Sequence, residues 1–238
     1  MSKSIAYTYL FWSLLSILGG QDLVAQEGEL FKAKLRFFNP IADIRELYFI
    51  SDGKDQEIRA SFVGPSKRYE FISETPELVL FVKETFEGEI VRTPVARVML
   101  PVGGDDCLVF MVPNKANDGE RYRTKVFNNS LRALGKGETR IHNMTTMAIM
   151  MKYGNLQFQI DGESSKTMPT QTVKDSSGDA DSYGTAINID FPVLIAMNTD
   201  SGWRSVYRSI WYPMENDRIQ VFIMPQSKTS VRVFQITD

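Results

Sequence analysis

Hydrophobic and polar residues alternate along much of this chain with a period of two. The segments Arg218–Ile223 and Ser230–Gln235 show the pattern most clearly. Successive side chains of a β-strand point to opposite faces, so this alternation predicts strands with one face on a core and the other toward water. No segment after residue 25 keeps a helical period over three turns. The sequence therefore predicts an all-β fold.

Short runs rich in Val, Ile, Phe, Tyr and Leu, separated by Gly, Pro, Asn and Asp, define the predicted strands. In the first half they cover residues 30–39, 44–51, 56–63, 68–72, 78–83, 89–92, 95–100 and 107–112. In the second half they cover residues 121–127, 138–142, 147–153, 155–160, 186–197, 203–212, 218–224 and 230–236. Many short strands separated by frequent turns indicate sandwiches or barrels.

Three segments of the first half recur in the same order in the second. They are Arg36–Asn39 with Arg140–Asn143, Val95–Arg97 with Val206–Arg208, and Val109–Pro113 with Val221–Pro225, at offsets of 104, 111 and 112 residues. A repeat of about a domain's length indicates two copies of one fold. The sequence predicts two consecutive immunoglobulin-like β-sandwich domains related by internal duplication, at 27–116 and 117–238.

The second predicted domain is longer because of a loop insertion at 162–184, rich in Ser, Thr, Lys, Asp and Gly. Within it, Asp175, Asp179 and Asp181 have the composition of a calcium loop, but their spacing departs from the EF-hand pattern. A mobile, solvated loop is the favoured interpretation, with calcium ligands as the alternative. No cofactor and no other metal site is predicted.

The first 25 residues have the pattern of a secretory signal peptide. Lys3 precedes an uncharged apolar stretch at 5–18, and small Ala25 suits the position before a cleavage site. The apolar stretch is shorter than the ~20 residues of a transmembrane helix, although an uncleaved anchor is the alternative. We therefore expect an exported protein, periplasmic or extracellular, with no membrane span after cleavage.

Composition and charge narrow the function further. The 238 residues are 43 % hydrophobic and 24 % charged, with a net charge of -2. A near-neutral chain without a basic block offers no general attraction to nucleic acid. Cys107 is the only cysteine, so the protein has no internal disulfide. Because it opens an apolar run, Cys107 is expected to be a small buried hydrophobe rather than a reactive thiol.

The sequence contains few groups of residues that could form a catalytic site. His142 is the only histidine, which excludes a multi-histidine metal site, and any Ser-His-Asp triad would need it. In the repeat, His142 corresponds to Phe38, so a partly buried strand residue is expected. The nearby carboxylate pairs that a glycosidase would need are Asp105 with Asp106, Glu87 with Glu89, and Asp179 with Asp181. Adjacent carboxylates on turns point apart, which disfavours catalysis.

One strand of the second half carries an aromatic cluster. Its odd positions share a face of a regular strand: Trp203, Ser205, Tyr207, Ser209 and Trp211. Exposed aromatics spaced by serine would form a ledge that stacks on sugar rings or a partner's apolar groups. The alternative is that this face is the domain core. Since Ala96 stands where Tyr207 does, the fold does not require the aromatics, and Trp203, Tyr207 and Trp211 are the candidate ligand-binding residues.

Three groups of residues carry a family resemblance. They lie at 126–130 with 137–145, at 202–209 and at 218–223, and include a Trp-x-x-Val-Tyr strand followed by an Arg-x-x-Val-Phe strand. Over residues 119–238 the chain resembles uncharacterised exported bacterial β-sandwich proteins. The resemblance implies the fold and an envelope location, and it brings no catalytic or binding residues.

These observations predict an exported, non-enzymatic β-sandwich protein that serves as a binding or structural module of the bacterial cell envelope. Its partner would be an envelope protein or a polysaccharide. One alternative is a carbohydrate-binding module that uses the aromatic strand. A second alternative is a carbohydrate-active enzyme that uses a carboxylate pair.

Overall fold

The computed structural model describes residues 30–116, 119–170, 191–214, 216–227 and 229–238. These residues form sixteen β-strands and no helix, which confirms the all-β prediction. The predicted signal peptide at 1–25 and the part of the predicted loop from 171 to 184 lie outside the described residues.

The first eight strands are β1 Phe31–Phe38, β2 Ile44–Ser51, β3 Lys54–Ala60, β4 Tyr69–Ser73, β5 Glu77–Phe86, β6 Glu89–Met99, β7 Asp106–Pro113 and β8 Tyr122–Asn128. The second eight are β9 Glu138–Asn143, β10 Ile149–Tyr153, β11 Leu156–Ile160, β12 Ser165–Pro169, β13 Phe191–Thr199, β14 Gly202–Trp211, β15 Ile219–Ser227 and β16 Ser230–Thr237.

The strands pair into four sheets of four strands each. Sheet A has the order β4-β1-β7-β8 and sheet B the order β3-β2-β5-β6. Sheet C, β12-β9-β15-β16, and sheet D, β11-β10-β13-β14, repeat these orders with every strand number raised by eight. The duplication that the sequence predicts is therefore present in the strand topology, as two repeats that comprise β1–β8 and β9–β16.

Strand pairing also confirms the alignment of the repeats. β1 runs parallel to β7 with Phe38 beside Phe110, and β9 runs parallel to β15 with His142 beside Phe222. The register shifts in β6 and β14 fall at equivalent residues too, since Val95 and Val206 each lack a partner on the neighbouring strand. A β-bulge is thus built into the same place of both repeats.

Two segments differ from their sequence predictions. β8 follows the predicted boundary between residues 116 and 117, yet it pairs with β7 along its whole length. In the strand pairing, the change from one repeat to the next therefore falls between β8 and β9. The predicted loop at 162–184 contains β12, which pairs with β9 from Ser165 to Pro169. Backbone pairing here stabilises a strand whose side chains give little apolar signal.

Each repeat is a sandwich with its own core. Sheets A and B enclose one cluster of buried side chains, and sheets C and D enclose another. Leu35 and Val109 from sheet A meet Phe49 and Leu80 from sheet B in the first core. Cys107 belongs to this core and is fully buried, as the sequence predicts.

A third apolar cluster joins the two sandwiches. It contains Phe38, Phe110 and Phe127 from the outer face of sheet A and Phe222 and Ile236 from the outer face of sheet C. The four sheets therefore stack in the order B, A, C, D. The central strands β7 and β15 are covered on both faces, which explains why they are almost continuously apolar rather than alternating.

The contact between the sandwiches is self-complementary. Phe110 and Phe222 are equivalent residues of the two repeats, and their ring centroids lie 5.4 Å apart. Asn129 and Asp238 follow the equivalent strands β8 and β16, and the Asn129 amide donates to the Asp238 carboxylate at 2.9 Å. Contacts between equivalent residues are typical of an isologous dimer interface, so the chain resembles a two-fold dimer in covalent form.

Asp238 is the centre of a polar network at the edge of this junction. Arg36 of the first repeat binds its carboxylate with two hydrogen bonds of 2.6 Å, and Arg218 adds a third at 2.9 Å. Burial raises the pKa of Asp238, but the hydrogen bonds from Arg36 and Asn129 and the arginine charges outweigh it and hold that pKa well below its usual range. The carboxylate is therefore ionised and paired at neutral pH.

Removing the Asp238 carboxylate should destabilise the protein strongly. Arg36 and Arg218 are both almost fully buried, and Asp238→Ala leaves their charges without a partner inside the junction. Breaking a buried pair in this way costs about 3–5 kcal/mol. Chemical denaturation of the wild type and the variant measures the difference in the free energy of unfolding.

The matched control is Glu77→Ala, which removes the exposed ion pair with Arg97. Exposed pairs contribute about 0–1 kcal/mol. If Asp238→Ala costs no more than Glu77→Ala, the junction network does not contribute to stability as argued.

Candidate functional site

The aromatic strand predicted as a ledge is β14, and its bulge separates the aromatics. Tyr207 lies opposite Ile195 and Trp211 lies opposite Phe191, both buried residues of β13. Trp203 lies opposite exposed Asn198. Because directly paired residues share a face, the bulge places Trp203 on the other face from Tyr207 and Trp211.

The three candidate ligand-binding residues therefore form no common exposed surface. Trp211 is 6 % exposed and belongs to the second core, and Tyr207 packs against that core. The Trp211 indole donates to the Tyr207 hydroxyl at 3.4 Å. Trp203 is 47 % exposed, so it alone is available to a ligand. Simple alternation predicted a shared face because it takes no account of the bulge.

Trp203 lines an open cleft of about 1010 Å³ in the second repeat. The cleft lies between the β13–β14 hairpin, the β15–β16 connection and the loop after β9. Its lining residues are Met144, Thr145, Thr146, Met147, Met197, Thr199, Asp200, Ser201, Gly202, Trp203, Arg204, Ser205, Pro225, Ser227 and Thr229. The volume is at the upper end of the range for ligand sites. We refer to it below as the Trp203 cleft.

The lining combines apolar residues with hydroxyls. Met147 packs on the second core and Met197 is buried within it, so these two methionines give their part of the lining an apolar character. Four exposed hydroxyl residues have no hydrogen-bond partner for their side chains among the described residues: Thr146, Ser201, Ser205 and Thr229. The cleft thus offers apolar contact and unengaged donors and acceptors together, which is typical of a binding site.

Asp200 and Arg204 are the charged residues of the lining. Neither forms an ion pair within the described part of the chain, and both are exposed. Among the described lining residues, one negative and one positive group therefore balance each other. This part of the lining combines hydroxyl groups with one large aromatic ring.

The first repeat shows how the fold closes the equivalent corner. There Arg121 donates its backbone N–H to the Val95 carbonyl at 2.9 Å, and its guanidinium pairs with Glu84 at 2.7 Å. Hydrogen bonds from Thr93 and Arg121 lower the pKa of Glu84. Arg121, which precedes β8, contacts β5 and β6 in this way, whereas in the second repeat the connection after Ser227 resumes a strand at Ser230. The shorter connection leaves the corner of the second repeat open.

A second concavity of about 700 Å³ lies beside the junction of the repeats. Two of its cations, Arg68 and Arg218, are engaged with carboxylates. Arg68 lies 3.3 Å from Asp106, and Arg218 pairs with Asp238. Lys34 is beside both Glu70 and Asp106 in the strand register. Because its two arginines are already paired, they are less available to a ligand than unpaired cations would be.

His142 lies inside the junction, as expected for a residue equivalent to Phe38. Its ring stacks on Phe222 at 4.8 Å with an angle of 13°. Nδ1 lies 2.8 Å from the Ser165 hydroxyl and Nε2 lies 3.2 Å from Oε1 of Gln220. Since an amide oxygen only accepts, Nε2 carries the proton and Ser165 donates to Nδ1.

The Ser165–His142 pair differs from a catalytic triad in its third member. Gln220 occupies the position where a triad has a carboxylate, so no negative charge stabilises an imidazolium. Burial lowers the pKa of His142 to about 4, which the Gln220 hydrogen bond opposes and the charges of Arg140 and Lys125 reinforce. The arrangement keeps the ring neutral and favours a structural role in the junction.

Of the predicted carboxylate pairs, Asp105 and Asp106 both line the concavity of about 700 Å³ beside the junction. Asp106 is engaged by Arg68 and Asn129, and Glu87 and Glu89 lie at the exposed tip of the β5–β6 hairpin. The weak calcium candidates Asp175, Asp179 and Asp181 are outside the described residues, as is the pair Asp179 and Asp181.

A metal site and a reactive cysteine are two further kinds of site that the structure bears on. Within the described ranges, no group of three or more His, Cys, Asp or Glu residues could hold a metal ion. Burial raises the pKa of the Cys107 thiol to about 12, and the nearby charges of Asp106 and Asp105 add to this. The thiol stays protonated, in agreement with its place in the first core.

Comparison with models of protein families and with curated proteins finds no match to this chain. In the part of the chain that the structure describes, no helix has the length and apolar character needed to cross a membrane.

Sequence reasoning found Trp203 but missed the rest of its cleft. Met147, Ser201 and Thr229 come from three separate connections, and nothing in their local pattern brings them together. The available signal was the unequal spacing of the repeats. The segment between the Val-Phe-x-x-Pro motif and the next strand is shorter in the second half, so a comparison of loop lengths could have indicated the open corner.

Titration of His142 should give the protein a pH-dependent stability. Its pKa in the folded state is about 4, below its usual value of 6.5. Its contribution is therefore fully present above pH 6.5 and is lost as the pH falls toward 4, by on the order of 3 kcal/mol. Denaturation curves recorded across this range measure the slope of stability against pH.

His142→Phe installs the residue that the first repeat has at this position and should remove that slope, whatever its effect on stability at pH 7. Titration of Asp238 does not add to the slope in this range. The stability that its ionised carboxylate provides is lost only as the pH falls below 3.8, the usual pKa of that carboxyl. Equal slopes for the wild type and His142→Phe between pH 6.5 and 4.5 would contradict the assignment.

Proposed function

We propose that the protein is an exported, non-enzymatic binding module of the cell envelope that holds its ligand in the Trp203 cleft. The observation that carries the proposal is a half-exposed tryptophan beside an open cleft, at a corner that the first repeat closes with Arg121. Since both repeats fold with the same topology, the open corner is not a requirement of the fold.

Several features support binding rather than catalysis. Three groups of the described residues have strongly shifted pKa values. They are Cys107, His142 and Asp238, which lie in the first core and in the junction. Perturbed titratable groups of an active site are instead expected in a cleft. The two charged residues of the Trp203 cleft form no pair that resembles a catalytic constellation.

We also propose that the protein is exported and that its two sandwiches are immunoglobulin-like. The pattern of residues 1–25 supports secretion to the periplasm or the exterior. Two packed four-stranded sheets with mostly antiparallel pairing support an immunoglobulin-like class for each sandwich. A carboxylate-dependent carbohydrate-active enzyme is the alternative. Asp105 and Asp106 line the concavity beside the junction, where Arg68 and Asn129 already engage Asp106.

Trp203→Ala should abolish retention of the protein on its target. In a sedimentation assay with insoluble envelope material from the producing cells, wild-type protein should pellet and the variant should stay in solution. The supernatant is assayed for released sugars, amino groups and acids. A binding module should release none above a blank without protein.

The control is Tyr212→Ala, because Tyr212 is an exposed aromatic of the same region that does not line the cleft. It should pellet like the wild type. Equal retention of all three proteins would place binding elsewhere. Product release at enzyme-like rates, lost on substitution of Asp106 or Glu87, would favour the enzyme.

A further inference from the structure

We infer that the ligand of the Trp203 cleft is an uncharged polysaccharide, an inference that rests on the function proposed above. Sugar rings present apolar C–H faces and a rim of hydroxyls. A receptor for them needs one flat aromatic ring and several polar groups that both donate and accept. The Trp203 cleft has both.

The aromatic contact comes from Trp203. Its equivalent in the first repeat is Arg92, which forms an ion pair with Asp55 at 2.9 Å. The fold therefore accommodates an ion-paired arginine at this position. A half-exposed indole at the same place leaves about as much apolar surface in water as it buries, and a stacked sugar ring would cover that surface.

The polar contacts come from the unengaged hydroxyls. Ser201 lies on the β13–β14 connection, Ser205 in β14 and Thr229 on the β15–β16 connection, and all three lack side-chain partners among the described residues. A hydroxyl both donates and accepts, as the hydroxyls of a sugar do. Other hydroxyls of the lining are already engaged. Thr199 donates to the Gly202 carbonyl at 2.8 Å, and the Ser227 hydroxyl lies 2.6 Å from that of Ser230.

The described lining gives acidic polymers no electrostatic advantage. Among its described residues, Arg204 is the one cation and Asp200 is the one anion. A repeating acidic glycan would instead favour a row of lysine and arginine residues, as other polyanions do.

The shape of the cleft favours a polymer over a small sugar or an extended peptide. A cleft of about 1010 Å³ that is open to solvent fits several linked units better than one. An extended peptide would bind by adding a strand to the edge strand β14. The bulge at Val206 interrupts the hydrogen-bonding edge of β14 next to the cleft, which disfavours such pairing.

The experiment measures binding of full-length protein to defined polymers by tryptophan fluorescence and isothermal titration calorimetry. The neutral probes are laminarin, dextran, mannan and hydroxyethyl cellulose. The acidic probes are alginate and heparin, and the peptide probe is unfolded casein. At least one neutral polymer should bind and quench Trp203, while buried Trp211 provides a shielded reference signal.

The variants distinguish stacking from a general loss of structure. Trp203→Ala should weaken binding about tenfold or more, and Trp203→Phe, which keeps a flat ring, should recover part of it. The double variant Ser205→Ala with Thr229→Ala should weaken binding while it leaves the unfolding midpoint unchanged. Tyr212→Ala should bind like the wild type.

The failure of this inference differs from the failure of the proposed function. Trp203-dependent binding of only alginate, heparin or casein would overturn the uncharged polysaccharide and leave the binding module. If no polymer binds but retention on envelope material still depends on Trp203, the inference of an uncharged polysaccharide is wrong and the proposed function stands. Failure of both assays would overturn the two proposals together.

Discussion

The packing of sheet A on sheet C is the interaction on which the rest of the structure depends. Each of these sheets buries one face in its own sandwich and the other against its counterpart, so β7 and β15 lie in the interior of the molecule. Without this contact, each sandwich would expose a face that carries Phe38 and Phe110 or Phe222 and Ile236. Aromatic and aliphatic contact across the junction makes a single compact unit of residues 31–238.

The junction also accounts for the residues that the sequence made most conspicuous. The repeated Val-Phe-x-x-Pro motif is conspicuous because its strand is covered on both faces in each repeat. His142 replaces a phenylalanine of the first repeat and keeps the stacking of an aromatic ring. Its polar atoms bond with Ser165 and Gln220, and Gln220 in turn donates to Asn129. At this position the first repeat thus has an aromatic contact, whereas the second repeat has a polar network.

The strands and the register of the repeats were predictable because apolar periodicity and local motifs carry that information along the chain. The domain boundary predicted between residues 116 and 117 separated β8 from β7. Their pairing depends on backbone hydrogen bonds across a connection, which the side-chain pattern does not reveal. The ledge of Trp203, Tyr207 and Trp211 was predicted from regular alternation, and one bulged residue reversed it. The cleft was not predictable from local pattern, because it is assembled from connections that meet only in the folded chain.

The ion pair of Arg36 with Asp238 joins residues that are 202 positions apart in the chain. A contact of this separation can form only after β1 and the strands of both repeats have taken their places. We therefore expect the junction to close late in folding, since a large share of nonlocal pairing is typical of slow folding. Until that step, the outer faces of sheets A and C are open to other chains. The same surface that unites the two repeats is thus the region where a partly folded molecule is most exposed to misassembly with a neighbour.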